Sequence, residues 1–382
     1  MMTSAEIVII GGGISGCAIA YNLANKGMKN IVLLEKGYIA SGATGRCGAG
    51  IRQQWATEMN CQVAKLSREF FESAEETLGY HYDIEFKQKG YLILAATEEE
   101  DKQSIQNVAL QNSLGIDSKY ISLQEAKKIV PILNTEGFIS ATYCKDDGHL
   151  NPWHTTLAFA KAAEKLGVKI YTHTEVTGID HQEGEIRGVQ TPKGYIRTDK
   201  IVNAAGGHAQ LIGEMAGVDL PVYSERRQIL VTEPVAPILD PMIISFSKDI
   251  YCQQVPHGAF IMGRGGEEEP RDLKESTSWD FLEKMTETAL GILPDLNKTR
   301  VLRQWSGMYN LSPDKQPIYG DVPGMKGLYL AIGFSGHGFM FGPATGLLMA
   351  EFLLGEKTTL PIEKLHISRF EKGELMEEAS VV

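Results

Sequence analysis

The chain has 382 residues, of which 43% are hydrophobic and 22% are charged, and its net charge is −11 at neutral pH. This length exceeds that at which a single hydrophobic core stops growing, so we expect two domains. The composition excludes a disordered or fibrous chain, and the acidic balance excludes binding to nucleic acid through a basic face. The five cysteines form no CxxC pair or zinc pattern, and no apolar segment predicts a signal peptide or a membrane span. We therefore expect a reduced, cytoplasmic protein without a metal site.

Residues 5–37 predict a β-strand, a glycine turn, an α-helix and a second β-strand. The stretch AEIVIIGGGISGCAIAYNLANKGMKNIVLLEKG places Gly11, Gly13 and Gly16 in a GxGxxG turn, and its second apolar run ends at Glu35. Such a turn brings backbone N–H groups and a helix N-terminus against a pyrophosphate, and the carboxylate can accept hydrogen bonds from ribose hydroxyls. A glycine turn that serves packing alone is the alternative. The complete context favours a dinucleotide site.

The next segment, KGYIASGATGRCGAGIRQQW, is rich in small residues from Ser41 to Gly50. Backbone amides in such a segment can crowd against a long cofactor. Together with Glu35, where an NADP site would carry a basic side chain, this stretch favours FAD. A flexible surface loop has a similar composition and stays open as an alternative.

The rest of the chain predicts further helices and strands in two groups. Capping signals at Ser122 and Glu125, and at Asn151 with Pro152, predict helix starts. From about residue 187 the chain is β-rich, and a buried strand near its end leads into GFSGHGFMFGP and a last helix. The fold class predicted is α/β: a discontinuous Rossmann-type FAD-binding domain (residues 1–50, 145–218 and 300–375) with an inserted mixed or antiparallel β-sheet substrate domain (residues 51–144 and 219–299).

Five segments resemble the family of FAD-dependent amino-acid and amine oxidoreductases, which includes sarcosine oxidases and glycine oxidase. They are VIIGGGISG, EKGYIASGATGRCGAGIRQQW, KIVNAAGGHA, SPDKQPIYG and GFSGHGFMFGPATG, and they follow the family order along the whole chain. Within the family, the chain is most similar to the β subunit of dye-linked L-proline dehydrogenase. The resemblance implies oxidation of an amino acid at its Cα–N bond, with L-proline as the first expectation and sarcosine or a D-amino acid as alternatives. A non-catalytic FAD-binding scaffold is the alternative from another class.

The resemblance also assigns the cofactor contacts. Glu35 and Lys36 would face the adenosine, the segment from Ser41 to Arg46 the pyrophosphate and the flavin edge, and the segment from Gly333 to Met340 the isoalloxazine. The cofactor-binding residues expected are Gly11, Gly13, Ile14, Ser15, Gly16, Glu35, Lys36, Ser41, Gly42, Ala43, Thr44, Arg46, Gly48, Ala49, Gly50, Val176, Ala204, Ala205, Gly206, Gly333, Phe334, Ser335, Gly336, His337, Gly338, Phe339 and Met340.

Three positions depart from the relatives. Gly307 stands where monomeric sarcosine oxidases carry the cysteine that tethers the flavin, which implies noncovalent FAD. Met340 replaces a lysine that binds the substrate carboxylate, so this role falls on another residue. The resemblance further implies a partner α-type subunit, and it leaves open whether an FMN lies at that interface. In tetrameric sarcosine oxidases a histidine carries this FMN covalently, and its position corresponds to about Asn151 or Pro152 of this chain. Any FMN is therefore expected to be noncovalent.

Arg52, His337 and Tyr251 are the catalytic candidates. Arg52 follows the small-residue segment, matches an arginine that the family uses for the substrate carboxylate, and can hold a carboxylate by two parallel hydrogen bonds. A surface arginine is its alternative. His337 either shapes the pocket beside the flavin or orients the amine, unless backbone groups satisfy it. Tyr251 and Tyr309 either wall the pocket or, as their strand spacing favours, belong to the core. For His208, after NAAGG, packing is favoured over a cofactor role.

Overall fold

The computed structural model describes residues 2–265, 269–376 and 378. Its strands, in chain order, are β1 (Ile7–Ile10), β2 (Ile31–Leu34), β3 (Gly50–Ile51), β4 (Tyr91–Ala95), β5 (Ser118–Ile121), β6 (Ser140–Cys144), β7 (Gly148–His149), β8 (Lys169–Tyr171), β9 (Gly178–Gln182), β10 (Glu185–Thr191), β11 (Gly194–Arg197), β12 (Ile201–Asn203), β13 (Tyr223–Thr232), β14 (Met242–Ser245), β15 (Ile250–Gln254), β16 (Phe260–Gly263), β17 (Val301–Leu311), β18 (Ile318–Val322) and β19 (Met325–Ile332). Its α-helices are α1 (Ile14–Asn25), α2 (Glu58–Glu72), α3 (Ala74–Leu78), α4 (Glu98–Ser113), α5 (Leu123–Ile129), α6 (Pro152–Lys165), α7 (Ala209–Met215), α8 (Trp279–Ile292), α9 (Gly338–Leu353) and α10 (Arg369–Lys372).

The first sheet collects strands from the start, the middle and the end of the chain. Among the described residues it has nine strands in the order β11-β10-β19-β12-β1-β2-β8, with β18 beside β19 and β9 beside β10. β1 runs parallel to its neighbours β12 and β2, and β19 runs parallel to β12. All four residues of β1, IVII, are buried, as expected for a central parallel strand covered on both faces. This arrangement confirms the predicted discontinuous Rossmann-type fold.

Helices cover one face of this sheet. The side chains of Ile7 and Ile9 belong to the same buried cluster as residues of α1, α6 and α9, and α1 packs against both other helices. Helix α2 also packs against α9, where the Phe71 and Phe339 rings lie 6.1 Å apart. The segment that follows the small-residue stretch is therefore anchored beside the last long helix. The domain boundaries given above stay a prediction.

The second sheet is mainly antiparallel. Its eight strands within the described residues follow the order β17-β13-β16-β15-β14-β4-β6-β5, and among these neighbours only β14 and β4 are parallel. Its own core contains buried residues of α5 and α8. The long β13–β17 ladder aligns Arg227 with Gly307. The predicted mixed or antiparallel substrate sheet is confirmed.

The predicted helix starts are capped as expected. Ser122 and Glu125 form a reciprocal capping box at α5, and the Asn151 side chain accepts from the N–H groups of Trp153 and His154 at α6. A third cap, the box of Thr97 and Glu100 at α4, was not predicted. Asn151 is therefore the N-cap of α6.

Neither a membrane-spanning helix nor a metal-binding cluster is found in the part of the chain that the structure describes. In residues 2–265, 269–376 and 378, no α-helix has both the length and the apolar character needed to cross a bilayer. In the same residues, no cluster of three or more His, Cys, Asp or Glu side chains is placed to hold a metal ion. The five cysteines are free thiols.

Candidate active site

The glycine turn after β1 packs against the loop that follows β12. A Cβ on Gly11 would lie 2.3 Å from the carbonyl oxygen of Ala204, and a Cβ on Gly16 would lie 2.0 Å from that of Gly11. The φ angle of Gly11 is +117°. Helix α1 therefore begins directly at the end of β1, and no side chain hydrogen-bonds at its N-cap, Gly13. Its N-terminus can face an anion.

Glu35 lies beside this turn at the end of β2. One carboxylate oxygen accepts from the Gly12 N–H at 2.7 Å, and the other accepts from the Gly37 N–H at 2.6 Å and the Ser41 hydroxyl at 3.2 Å. The Glu35 carbonyl accepts from the Thr174 N–H, which places the segment containing Val176 next to the carboxylate. The carboxylate is thus oriented where the ribose of a dinucleotide is expected.

The small-residue segment reaches from the glycine turn to the second sheet. The Thr44 hydroxyl accepts from the N–H of Ile14 at the start of α1, at 3.1 Å. At its other end, the Gly48 carbonyl accepts from the Gln253 side chain on β15. Arg46 donates to the Ser306 carbonyl on β17 and pairs with Glu275 at 2.7 Å. The segment therefore links the sites predicted for the pyrophosphate and for the flavin.

The side chains of Lys36 and His208 contact each other. The Lys36 Nζ and the His208 Nε2 are 2.7 Å apart, although these residues follow strands β2 and β12, which flank β1. Burial and the Lys36 charge lower the pKa of His208. His208 therefore contacts a predicted adenosine-binding residue rather than only packing in the core.

The stretch that opens α9 is held from β17. The Asn310 side chain accepts from the Gly333 N–H at 2.7 Å, and its carbonyl accepts from the Ser335 N–H at 2.9 Å. Gly336 has a φ of +98°, and a Cβ there would lie 2.4 Å from the Tyr309 ring. No side chain caps α9 at His337, and its first turn carries no acidic residue. Its N-terminal dipole is therefore directed at this loop.

A cavity lies between the second sheet and two of these segments, residues 43–55 and 335–340. It encloses about 840 Å³ of space, open solvent at its mouth included. Among the predicted site residues, its walls contain Ala43, Arg46, Gly48, Ala49, Gly50, Arg52, Tyr251, Tyr309, Ser335, Gly336, His337, Phe339 and Met340. The glycine turn, Glu35, Lys36, Ser41, Gly42, Thr44, Val176, the segment 204–206, Gly333, Phe334 and Gly338 are not part of these walls. Thr44 connects the two groups.

Arg52 is buried in the cavity wall, with 4% of its surface exposed. Its guanidinium carbon lies 3.8 Å from the centre of the Trp55 ring, and its Nη1 donates to the Gln54 carbonyl at 3.1 Å. The Trp55 indole N–H in turn donates to the Arg52 carbonyl at 2.8 Å. A cation held this way is preorganised for a carboxylate ligand. It is not the surface arginine of the alternative interpretation.

His337 is buried against two aromatic rings. Its ring centre lies 5.0 Å from that of Trp55 and 4.8 Å from that of Phe341, and 2% of its surface is exposed. Neither ring nitrogen has a hydrogen-bond partner in the described part of the protein. Burial, with the Arg52 charge nearby, lowers the pKa of His337 to about 3. The imidazole is therefore neutral at physiological pH, and backbone groups do not satisfy it.

This pKa predicts a sensitivity of folding to acid. Because folded His337 stays unprotonated while unfolded histidine titrates near pH 6.5, its contribution to stability is lost as pH falls from about 6.5 towards 3. Burial also lowers the pKa of His149 to about 4, which acts in the same direction, whereas burial raises the pKa of Asp147 to about 6, which acts in the opposite one. The free energy of unfolding in urea is measured at pH 6.5 and at pH 4.5. We expect it to fall less between these two values in His337→Phe than in the parent protein, by up to about 1.4 kcal/mol per pH unit. Equal losses in the two proteins would contradict the neutral, buried imidazole.

The two candidate tyrosines line the cavity, although their strand spacing favoured the core. Burial raises the pKa of Tyr251 well above its usual value and also raises that of Tyr309. Both phenols are therefore protonated and can donate hydrogen bonds. Tyr251 also packs at Gly48, where a Cβ would lie 2.9 Å from its ring.

The wall also contains residues that were not predicted, among them two aromatic side chains and an arginine. Trp55 and Tyr91 line the cavity near Arg52, and Arg227 lines it from β13. The guanidinium of Arg227 lies 5.4 Å from the Tyr309 ring centre and pairs with Glu225 at 3.1 Å. Trp55 follows Arg52 in the segment KGYIASGATGRCGAGIRQQW, so its place in the cavity wall could have been predicted from the sequence. Tyr91 and Arg227 enter only through strand pairing.

These observations fit FAD. An extended dinucleotide needs a helix N-terminus without acidic side chains in its first turn for its phosphates, an oriented carboxylate for its ribose, and a side-chain-poor surface for its ring. The chain supplies them at Gly13, at Glu35 and at the loop before α9. The last of these borders a cavity that contains a buried cation, Arg52.

Comparison with known proteins shows the family of this chain. The sarcosine oxidase β subunit of Arthrobacter sp is 30% identical over 381 residues, covering 98% of this chain and 93% of that protein, and the one of Rhodobacter capsulatus is 28% identical over 379 residues, covering 98% and 90%. The crystal structure of L-proline dehydrogenase from P. horikoshii matches with a TM-score of 0.94 and 39% identity, covering 98% of this chain and 100% of that one. Glycine oxidase from Geobacillus kaustophilus shares the fold, with a TM-score of 0.88 and 24% identity over 96% and 99% of the two chains. The pattern of the family described as "FAD dependent oxidoreductase" matches residues 6–352, and the chain belongs to this family.

Proposed function

We propose that this protein oxidises L-proline to pyrroline-5-carboxylate as the catalytic β subunit of a dye-linked L-proline dehydrogenase complex. The observation that carries the proposal is the cavity in which buried Arg52 shares a wall with the loop before α9. The similarity to L-proline dehydrogenase from P. horikoshii supports this substrate. When bound, FAD would supply the acceptor for the hydride, which leaves the Cδ of L-proline because the new C=N bond of pyrroline-5-carboxylate joins the nitrogen to that carbon.

The residues of the chain bind and orient the substrate. Arg52 takes the carboxylate by charge-assisted hydrogen bonds. Neutral His337 has both ring nitrogens unpaired in the described part of the protein, so it can accept a hydrogen bond from the substrate amine. The aromatic walls exclude water, and the N-terminus of α9 stabilises negative charge at the ring edge. Orientation in a dry site, rather than a strong protein base, is the contribution of the protein.

Sarcosine is the second candidate substrate. Both curated relatives named above are sarcosine oxidase β subunits, at 28% and 30% identity. Sarcosine, like proline, is a secondary amine with an α-carboxylate, so Arg52 and His337 can bind it in the same way. D-amino-acid oxidation is a third candidate, and it differs from the oxidation of L-proline to pyrroline-5-carboxylate in the carbon that loses the hydride, which is Cα in a D-amino acid and Cδ in L-proline.

The FAD is proposed to be noncovalent. Gly307, in the cavity wall, carries no nucleophile. Cys47 also lines the cavity, but burial raises the pKa of its thiol to about 12, so the reactive thiolate is scarce at neutral pH. Neither position favours a thioether link to the flavin.

A partner α-type subunit, with an FMN at the interface, is proposed beside α6. Tyr38 stacks on Trp153 at a ring distance of 5.7 Å, and Tyr80, Tyr82 and His154 form a second group of rings. Tyr38 and Tyr82 are 52% and 66% exposed. Exposed aromatic surface of this kind supports a partner or a planar ligand.

A cytoplasmic location stays a proposal based on the cysteine pattern.

Anaerobic stopped-flow spectroscopy of the FAD-loaded protein tests the substrate. We expect L-proline to bleach the visible absorption of the flavin, because its carboxylate and secondary amine match Arg52 and His337. Sarcosine and D-alanine are expected to do so more slowly. Faster bleaching by sarcosine or by D-alanine would reject L-proline in favour of that substrate. No bleaching by any amino acid would favour a non-catalytic FAD scaffold.

A further inference from the structure

The backbone around Arg52 is held on both sides. Before it, β3 pairs with β7, so that Gly50 is opposite His149 and Ile51 is opposite Gly148. This small ladder places Asp147, which directly precedes β7, across from the residues that follow β3. Asp147 is fully buried.

The Asp147 carboxylate binds the two residues that follow Arg52. One oxygen accepts from the backbone N–H of Gln53 at 2.9 Å and from its side-chain amide at 3.1 Å. The other oxygen accepts from the side-chain amide of Gln54 at 3.1 Å. Each glutamine is 1% exposed. Three donors thus converge on one buried carboxylate.

Gln54 passes this constraint on to Arg52. Its side chain also donates to the Tyr91 carbonyl at 3.0 Å and accepts from the Thr142 hydroxyl at 2.7 Å, which fixes it to β4 and β6. Its backbone carbonyl accepts from the Arg52 guanidinium at 3.1 Å. The position of the cation therefore depends on a residue that Asp147 holds.

The charge of Asp147 acts in the same direction. Burial raises the pKa of Asp147 to about 6, while the glutamine N–H groups and the Arg52 charge oppose this rise. At neutral pH the group is a carboxylate, because neutral pH lies above that value. A buried carboxylate near a buried guanidinium favours the charged form of both groups.

We propose that Asp147 is a positioning residue for the carboxylate site, and that it fixes the segment 52–54 so that the Arg52 guanidinium is presented to a substrate acid. This inference rests on the role proposed for Arg52. It identifies Asp147 as a residue that sets affinity for acids although it does not line the cavity.

Asp147→Asn in the FAD-loaded protein tests the inference. The new amide keeps the shape of the side chain but directs N–H groups at Gln53 or Gln54, so at least one buried donor loses its acceptor. Pyrrole-2-carboxylate, a flat analogue of proline that cannot be oxidised in the same way, is the probe. Its binding is followed by the change in the visible spectrum of the flavin. We expect its Kd to rise about tenfold or more, the effect of one unpaired buried donor.

Two controls separate positioning from general damage. Asp146→Asn removes the same charge from the adjacent residue, which makes no side-chain contact with Gln53 or Gln54, and it is expected to leave the Kd unchanged. Pyrrole-2-carboxamide lacks the acid, so its weaker binding is expected to be the same in the parent protein and in Asp147→Asn. An equal loss for the acid and the amide, or no loss for the acid, would overturn the inference.

A second variant covers a failure of Asp147→Asn to fold. Gln54→Met removes the amide that donates to Asp147 and leaves the carboxylate charge in place. It is expected to weaken the acid selectively, and retained affinity for the acid would overturn the inference. Because the readout is binding of an inert acid, a protein that binds it but does not oxidise L-proline would reject the proposed function and leave this test intact.

Discussion

Arg52→Ala is expected to slow reduction of the bound flavin by L-proline at least a hundredfold at low substrate concentration, while FAD stays bound. Each charge-assisted hydrogen bond to a buried group contributes about 1.5–3 kcal/mol, and a guanidinium gives a carboxylate two of them. A loss of about 3 kcal/mol corresponds to more than a hundredfold. Anaerobic stopped-flow traces over a range of L-proline concentrations measure this rate.

Two other arginines provide the comparison for this variant. Arg187→Ala changes an exposed arginine outside the cavity that forms an ion pair with Glu185, and it is expected to leave the rate unchanged. Arg227→Ala changes another guanidinium in the cavity wall, which forms an ion pair with Glu225. If Arg227→Ala lost the activity and Arg52→Ala kept it, the substrate carboxylate would belong to Arg227.

Gly16→Ala is expected to abolish FAD binding. Its Cβ would lie 2.0 Å from the carbonyl oxygen of Gly11, and backbone at this position cannot move without displacing the glycine turn from the start of α1. Overlap of this size costs more than the 1–3 kcal/mol typical of overpacking, so the affinity for FAD should fall by at least about a hundredfold. Titration of the protein with FAD, followed by flavin fluorescence, measures the change.

Gly291→Ala is the matched control for this prediction. A Cβ on Gly291, in α8, meets nothing within 4 Å, so this variant should bind FAD like the parent protein. Circular dichroism of both variants shows whether each is folded. A folded Gly16→Ala protein with unchanged affinity for FAD would mean that the glycine turn serves packing alone.

The local parts of the cofactor site could be predicted from the sequence. The strand, glycine turn and helix of residues 7–25 are contiguous, and Glu35 is positioned by the strand that ends there. Asn151 and Ser122 predicted helix starts because capping depends on neighbouring residues only. These features need no information about distant pairing.

The cavity wall could be predicted only in part. Arg227 faces the cavity because β13 pairs with β17 in one register, with Arg227 opposite Gly307, and a shift by one residue would turn it to the other face. Tyr251 and Tyr309 have the spacing of core tyrosines. Only the cavity itself shows that they lie in its wall rather than in the core. The contact of Asp147 with Gln53 joins residues 94 positions apart. Such contacts follow from tertiary packing, which residue spacing does not encode.

A crystal structure of the protein loaded with FAD and pyrrole-2-carboxylate tests the central claim most directly. The account predicts the isoalloxazine against residues 333–340 and the acid in the cavity, with its carboxylate about 3 Å from the Arg52 guanidinium nitrogens. An acid bound through Arg227 with Arg52 unengaged, or a flavin ring outside the cavity, would contradict it.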